Sequence, residues 1–182
     1  MTTESLCANL IEHYVRTCGL RFLRGKHDGE YFCVADVHPR CLHVHLETSP
    51  SFSDVFVILV TPVCSFPVVD RPWLTHFADT WNQRNGEVTA IVHGSSDSQR
   101  IGVSAHRSQW IQEGIFFEDF AAFADRTIAA AIELFAELTA VVESTPVATA
   151  RSGSWLRLGN GQPAMSDGLN VARVRGESRL DE

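Results

Sequence analysis

The run 71–118 constrains the fold of this chain more than any other part of its sequence. Its first part carries apolar residues at the i, i+3, i+4, i+7 spacing of a helix with one core-facing side, namely Leu74, Phe77, Ala78 and Trp81. Two segments rich in strand formers, 87–93 and 101–107, then flank the polar loop GSSDSQR, a pattern typical of an antiparallel hairpin. A long helix begins near Glu118. The run therefore predicts a helix, a hairpin and a second helix in close succession.

One helix and three strands are predicted before this run. Apolar residues at helical spacing indicate a first helix over 3–18, and strand formers dominate 31–36, 41–48 and 55–63. The second of these strands alternates strictly, with Leu42, Val44 and Leu46 on one face and Cys41, His43, His45 and Glu47 on the other. The third, VFVILVTPV, is apolar throughout. We therefore expect it to be central, or covered on both faces.

The resulting order of elements is α-β-β-β-α-β-β-α. Strands joined by short polar connections pair antiparallel, because parallel pairing needs a crossover of a dozen or more residues. The sequence thus predicts an α+β fold with an antiparallel five-stranded sheet. We expect one domain over 1–143 and a flexible tail over 144–182, where the composition changes to Ser, Gly, Pro, Ala and Arg.

Two local motifs accompany this order: the helix end WNQRNG at 81–86 and the segment SQWIQEGIFFEDF within 107–120. Over about 3–144 the chain resembles the YbjN-like family of bacterial sensory transduction regulators, whose fold is similar to that of class I type III secretion chaperones. The resemblance implies a non-enzymatic, homodimeric or chaperone-like protein. It carries over no catalytic residue and identifies no partner.

Charge argues against nucleic acid and membrane surfaces as partners, and the N-terminus and the cysteines indicate the compartment. The formal net charge is −7, and the folded part has no cluster of Lys and Arg, so neither nucleic acid nor a membrane surface is expected as a partner. The N-terminus lacks the basic and apolar regions of a secretory signal. Five cysteines, an odd number without framework spacing, are typical of reduced thiols. We expect a cytoplasmic, bacterial protein.

Ligand chemistry is concentrated in Cys33, Cys41, His43 and His45, with His38 in the turn between their strands. If that turn is centred on His38, Cys33 lies across from His43, and thiolates with imidazoles could hold zinc. Alternatively, two strand histidines and two small thiols are neighbours without a ligand role. We favour this second interpretation and predict no metal. A metal-binding or redox-sensing protein using these four residues is the alternative function.

Enzyme motifs are absent or incomplete. Residues 159–164 have the letters of G-x-G-x-x-A, but a dinucleotide site needs a βαβ unit behind it, and Pro163 opposes a helix there. Gly94-Ser95-Ser96-Asp97 lacks the spacing of a nucleophile elbow. We predict no cofactor and no catalytic residue, although catalytic groups could converge from distant positions.

A protein-binding module is the function that these patterns favour. We expect a homodimer with a further, unidentified protein partner, because an apolar strand or helix surface invites a second chain. The predicted contact residues lie on the apolar strand or fall off the apolar patterns, and they are Val55, Val57, Leu59, Trp73 and Trp110.

Overall fold

The computed structural model describes residues 6–19, 21–37, 40–113 and 115–144. Three helices are present there: α1 (Leu6–Thr17), α2 (Arg71–Arg84, preceded by a 3-10 turn) and α3 (Phe117–Ser144). The strands are β1 (Phe22–Arg24), β2 (Glu30–Val37), β3 (Arg40–Thr48), β4 (Val55–Pro62), β5 (Phe66–Pro67), β6 (Thr89–Gly94) and β7 (Arg100–Trp110). No helix in these ranges is long and apolar enough to cross a membrane.

All strands join one antiparallel sheet. β1 to β4 are neighbours in chain order, β4 pairs with β7, and β6 lies on the far side of β7. The prediction of an antiparallel α+β fold is confirmed, but the sheet has seven strands in the described part of the chain instead of five. The additional strands, β1 and β5, contain only three and two residues. Segments this short show no period of two, so only pairing with β2 and β7 identifies them.

The core lies on one face of this sheet. Inward-facing residues of the strands form a single cluster with the buried sides of the three helices. The predicted helical spacing of α2 is confirmed, since Leu74, Ala78 and Trp81 are all buried. Phe120 of α3 is fully buried and stacks on Phe56 of β4, with 4.6 Å between ring centroids.

α1 is joined to α3 by a polar contact at the edge of this core. The hydroxyl of Tyr14 donates a 2.7 Å hydrogen bond to Oδ1 of Asp125. Burial, together with this bond to a carboxylate, raises the pKa of Tyr14 well above its ordinary value. The phenol therefore stays protonated and serves as a structural donor.

Apart from Ser144, the predicted tail 144–182 lies outside the described residues. The same holds for the G-x-G-x-x-A letters at 159–164, and for His38 in the turn between β2 and β3.

Candidate functional site

The face of the sheet opposite the core carries the residues of interest. Strand register places Phe32 of β2 across from His45 of β3, His45 across from Leu59 of β4, and Leu59 across from His106 of β7. The buried sides of the three helices all belong to the core on the other face, so none of these helices covers this row. We call this surface the outer face.

Much of the outer face is apolar. β4 is central, as predicted, but its outward side chains, Val55, Val57 and Leu59, are only half-buried, so within the described ranges only its core face is fully covered. Trp110, directly across from Val55, is 62% exposed. Together with exposed neighbours these residues form the outer apolar patch: Phe32, Val34, Val55, Val57, Leu59, Ile91 and Trp110.

Four of the five predicted contact residues share this patch, and Trp73 does not. Trp73 lies in the first turn of α2, is half-buried, and packs edge-on against Phe66 at 6.1 Å. Phe66 belongs to the core cluster, so Trp73 packs against the side of the sheet that carries the helices. Its place off the apolar stripe of α2 reflects contact with β5, a strand too short to be recognised in the sequence.

The four predicted metal-ligand candidates do not converge. Cys33 pairs with Val44 and is buried in the core, whereas Val34, one residue later, lies across from His43. The expected pairing of Cys33 with His43 was therefore wrong by one residue, because Val37 pairs with Arg40. Burial, with a smaller effect of Cys18, raises the pKa of Cys33 to about 11. Cys33 is a core thiol on the opposite face from Cys41, His43 and His45.

Cys41 and His43 are exposed at the far end of β3 from Glu47. The thiol of Cys41 lies 3.8 Å from Oδ1 of Asp36. Partial burial and the Asp36 carboxylate raise the pKa of this thiol above its ordinary value. Cys41 is therefore a weaker source of thiolate than an isolated cysteine.

A different group gathers around His45. Its Nε2 atom lies 3.2 Å from Oε1 of Glu30 and 3.7 Å from Oε2 of Glu47. Glu30 and Glu47 are direct partners across the β2 and β3 ladder. The ring of Phe32 stacks on the imidazole, with 4.3 Å between centroids and 10° between planes. Sequence reasoning placed His45 and Glu47 on one face but missed Glu30, because its position depends on the register between two strands.

A tight turn before β2 holds Glu30 in place. Oε2 of Glu30 accepts hydrogen bonds from the backbone N–H groups of Lys26 and His27, at 2.7 and 3.4 Å. The carboxyl group lies against Gly25, where an added Cβ would be 1.9 Å from Oε2. Partial burial tends to raise the pKa of Glu30, but these donors and the charges of His45 and His27 together hold it below its ordinary value. The side chain is a fixed carboxylate.

A shallow depression on α1 is a second candidate surface. Its lining comes from that one helix and consists of Asn9, Glu12, His13, Arg16 and Thr17. Glu12 accepts hydrogen bonds there from Arg16, Arg24 and the hydroxyl of Tyr31. The bond from Arg16, the Tyr31 hydroxyl and the two guanidinium charges lower the pKa of Glu12. A carboxylate so engaged is a poor general base.

Comparison with known proteins supports the fold. No protein-family model matches the chain. No curated protein matches it significantly in sequence. The structure is similar to the crystal structure of YbjN, a candidate transcription regulator from E. coli, with a TM-score of 0.56 and 12% sequence identity. The match covers 73% of this chain and 91% of that one. The YbjN-like fold predicted from the sequence is confirmed.

Proposed function

We propose that this YbjN-like chain is a non-enzymatic protein-binding module that forms a homodimer through the outer apolar patch. One observation carries the proposal: β4 is a central strand with apolar side chains on both faces, and within the described residues only one of those faces is covered. An antiparallel sheet with one solvated face normally alternates apolar and polar side chains. A second copy of the chain would provide the missing cover.

The size of the patch suits the centre of such an interface. Its members lie on β2, β4, β7 and β6, and the outermost of these strands are about 19 Å apart at a spacing of about 4.8 Å. Along β4 the patch extends from Val55 to Leu59, which is about 14 Å at about 3.4 Å per residue. The footprint is therefore of the order of 300 Å² before side-chain relief is counted, and surrounding polar residues would complete the roughly 800 Å² per partner that specific protein interfaces bury.

The face is a better candidate for this contact than the sheet edges. One edge strand, β1, has three residues, and the other, β6, has six and ends at Gly94. Short edge strands offer few unpaired backbone groups to an incoming strand. The exposed aromatic rings of Phe32 and Trp110, in contrast, are the residue types that anchor protein interfaces.

Protein is also the partner class that charge favours. With a formal net charge of −7 the chain repels phosphate backbones, so we propose that it acts through protein contacts and not by binding DNA directly. A regulatory or chaperone-like role fits a module of this kind. The fold it shares with YbjN is compatible with that role but does not assign it.

Charged substitutions within the patch should separate the copies. We expect the purified full-length chain, 20.2 kDa per copy, to be a dimer at micromolar concentration in sedimentation equilibrium. Leu59→Glu and Trp110→Glu should each weaken the dimer by about 100-fold or more, because burying an unpaired carboxylate costs several kcal/mol.

Val69→Glu is the matched control. Val69 is 67% exposed, similar to Trp110, but lies in the 3-10 turn before α2, away from the outer face. The Val69→Glu substitution should leave the dimer dissociation constant unchanged. A wild-type chain that stays monomeric at 100-fold higher concentration, or three variants that behave alike, would contradict the proposal.

A further inference from the structure

We infer that Glu30, His45 and Glu47 form a binding site for one divalent transition-metal ion, with Zn²⁺ the ion that suits the ligands best. Among the described residues, these three are the group whose imidazole and carboxylate ligand atoms all lie within 4.8 Å of one another. The site borders the outer apolar patch, since Phe32 stacks on His45, but metal binding is an activity beyond the proposed function.

Strand register provides the first argument. Glu30 and Glu47 lie directly opposite each other on neighbouring antiparallel strands. Like charges in this position destabilise a sheet, because the two side chains are held about 5 Å apart at their Cβ atoms. A bound cation would turn this repulsion into attraction to a common centre.

The second argument is a buried nitrogen atom of His45 that forms no hydrogen bond with any described residue. Nε2 of His45 is out of contact with solvent and has no hydrogen-bond partner among the residues that the structure describes. The two carboxylate oxygens are within ion-pairing distance, at 3.2 and 3.7 Å, but neither forms a hydrogen bond with the ring. A buried polar atom without a partner costs about 1 to 3 kcal/mol. Coordination of a metal through its lone pair would satisfy it.

Distances among the ligand atoms fit tetrahedral zinc. Bonds of about 2.0 Å to nitrogen and oxygen place neighbouring ligand atoms of a tetrahedron about 3.3 Å apart. The measured separations from Nε2, 3.2 and 3.7 Å, bracket this value. One imidazole and two carboxylates leave a fourth position open, as in zinc sites that bind water or an exogenous ligand.

The surroundings fix two of the three ligands before any ion arrives. Phe32 stacks on His45 and limits rotation of its ring. The amides of Lys26 and His27 hold Oε2 of Glu30, so that Oε1 faces His45. This arrangement requires Gly25, because a Cβ there would collide with the Glu30 carboxyl group. Outer contacts that orient ligands are a regular feature of protein metal sites.

Calorimetric titration with ZnCl₂ tests the site in the full-length chain without an affinity tag. At pH 8, where an ordinary imidazole is neutral, we expect one ion bound per chain. His45→Gln should lower the affinity by at least about 10-fold, a loss within the range seen when zinc sites lose supporting groups. His43→Gln, two residues along the same face of β3, should bind as wild type does. Co²⁺ in place of Zn²⁺ should give visible absorption bands that His45→Gln lacks.

Two further variants separate metal binding from loss of folding. Glu47→Gln should raise the melting temperature of the metal-free protein, by removing the like-charge pair, and abolish the increase that zinc causes. Gly25→Ala should weaken zinc binding while keeping all three ligands. No binding at 100 µM zinc, or equal binding by His45→Gln and His43→Gln, would overturn the inference.

Discussion

Replacing Trp81 by alanine is expected to lower the free energy of unfolding by roughly 3 to 5 kcal/mol. Trp81 is 1% exposed and is among the largest fully buried side chains of the described chain. It lies on the core side of α2, one residue before Asn82, whose amide group bonds both the N–H and the C=O of Ala90 in β6. The cavity left by alanine would weaken the packing of both α2 and the edge strand β6. The melting temperature should therefore fall by roughly 10 °C or more.

Trp81→Phe is the informative control. Nε1 of Trp81 is buried and has no hydrogen-bond partner in the described part of the chain, so phenylalanine removes an unsatisfied donor while keeping most of the apolar volume. The gain from removing that donor, about 1 to 3 kcal/mol, should offset much of the lost packing. Urea unfolding followed by far-ultraviolet circular dichroism measures both variants. If phenylalanine costs as much as alanine, the indole N–H contributes to stability and this account of the site fails.

Phe120→Ala should be comparably damaging, again by roughly 3 to 5 kcal/mol. Its ring is fully buried, stacks on Phe56 of the sheet at 4.6 Å, and meets the ring of Tyr14 edge-on at 6.3 Å. One side chain of α3 thus joins α1 to the centre of the sheet. Its loss removes contacts with both elements, and thermal unfolding should shift by an amount similar to that for Trp81→Ala.

A double-mutant cycle measures how much of this loss of stability comes from the contact between the rings of Phe56 and Phe120. Phe56→Ala with Phe120→Ala should be less destabilising than the sum of the two single changes, with a coupling of about 0.5 kcal/mol or more. Phe116→Ala, four residues before Phe120 and 72% exposed, should change stability by no more than about 0.5 kcal/mol. Additive single changes would show that the two rings do not stabilise each other.

The core of this molecule was largely predictable from the sequence, and its outer face only in part. The period of 3.6 in α2 and the strict alternation of β3 identified the buried sides correctly, because burial imposes those periods directly. Leu42, Val44 and Leu46 are buried as predicted. Such patterns are local, so one segment of chain is enough to show them.

What the sequence did not reveal depends on pairing between segments. Glu30 opposes Glu47, and Cys33 pairs with Val44 instead of His43, only because of the register between β2 and β3, in which Val37 pairs with Arg40. A shift by one residue moves every side chain of a strand to the other face. The surroundings of Trp73 depend on pairing in the same way, since its partner Phe66 lies in a two-residue strand. One sequence pattern could have revealed part of the site around His45. The alternation of side chains places Glu30 and Phe32 on one face of β2 when the strand begins at Glu30.

The pairing of β4 with β7 also sets the order in which the chain can assemble. β2, β3 and β4 meet through short connections, and so do β6 and β7, whereas β4 and β7 are separated in sequence by α2 and β6. The entropy lost in closing a loop grows with its length, and long-range pairing slows folding for that reason. We therefore expect the two hairpin groups to form early and separately, and the pairing of β4 with β7 to be the late step that joins them into one sheet.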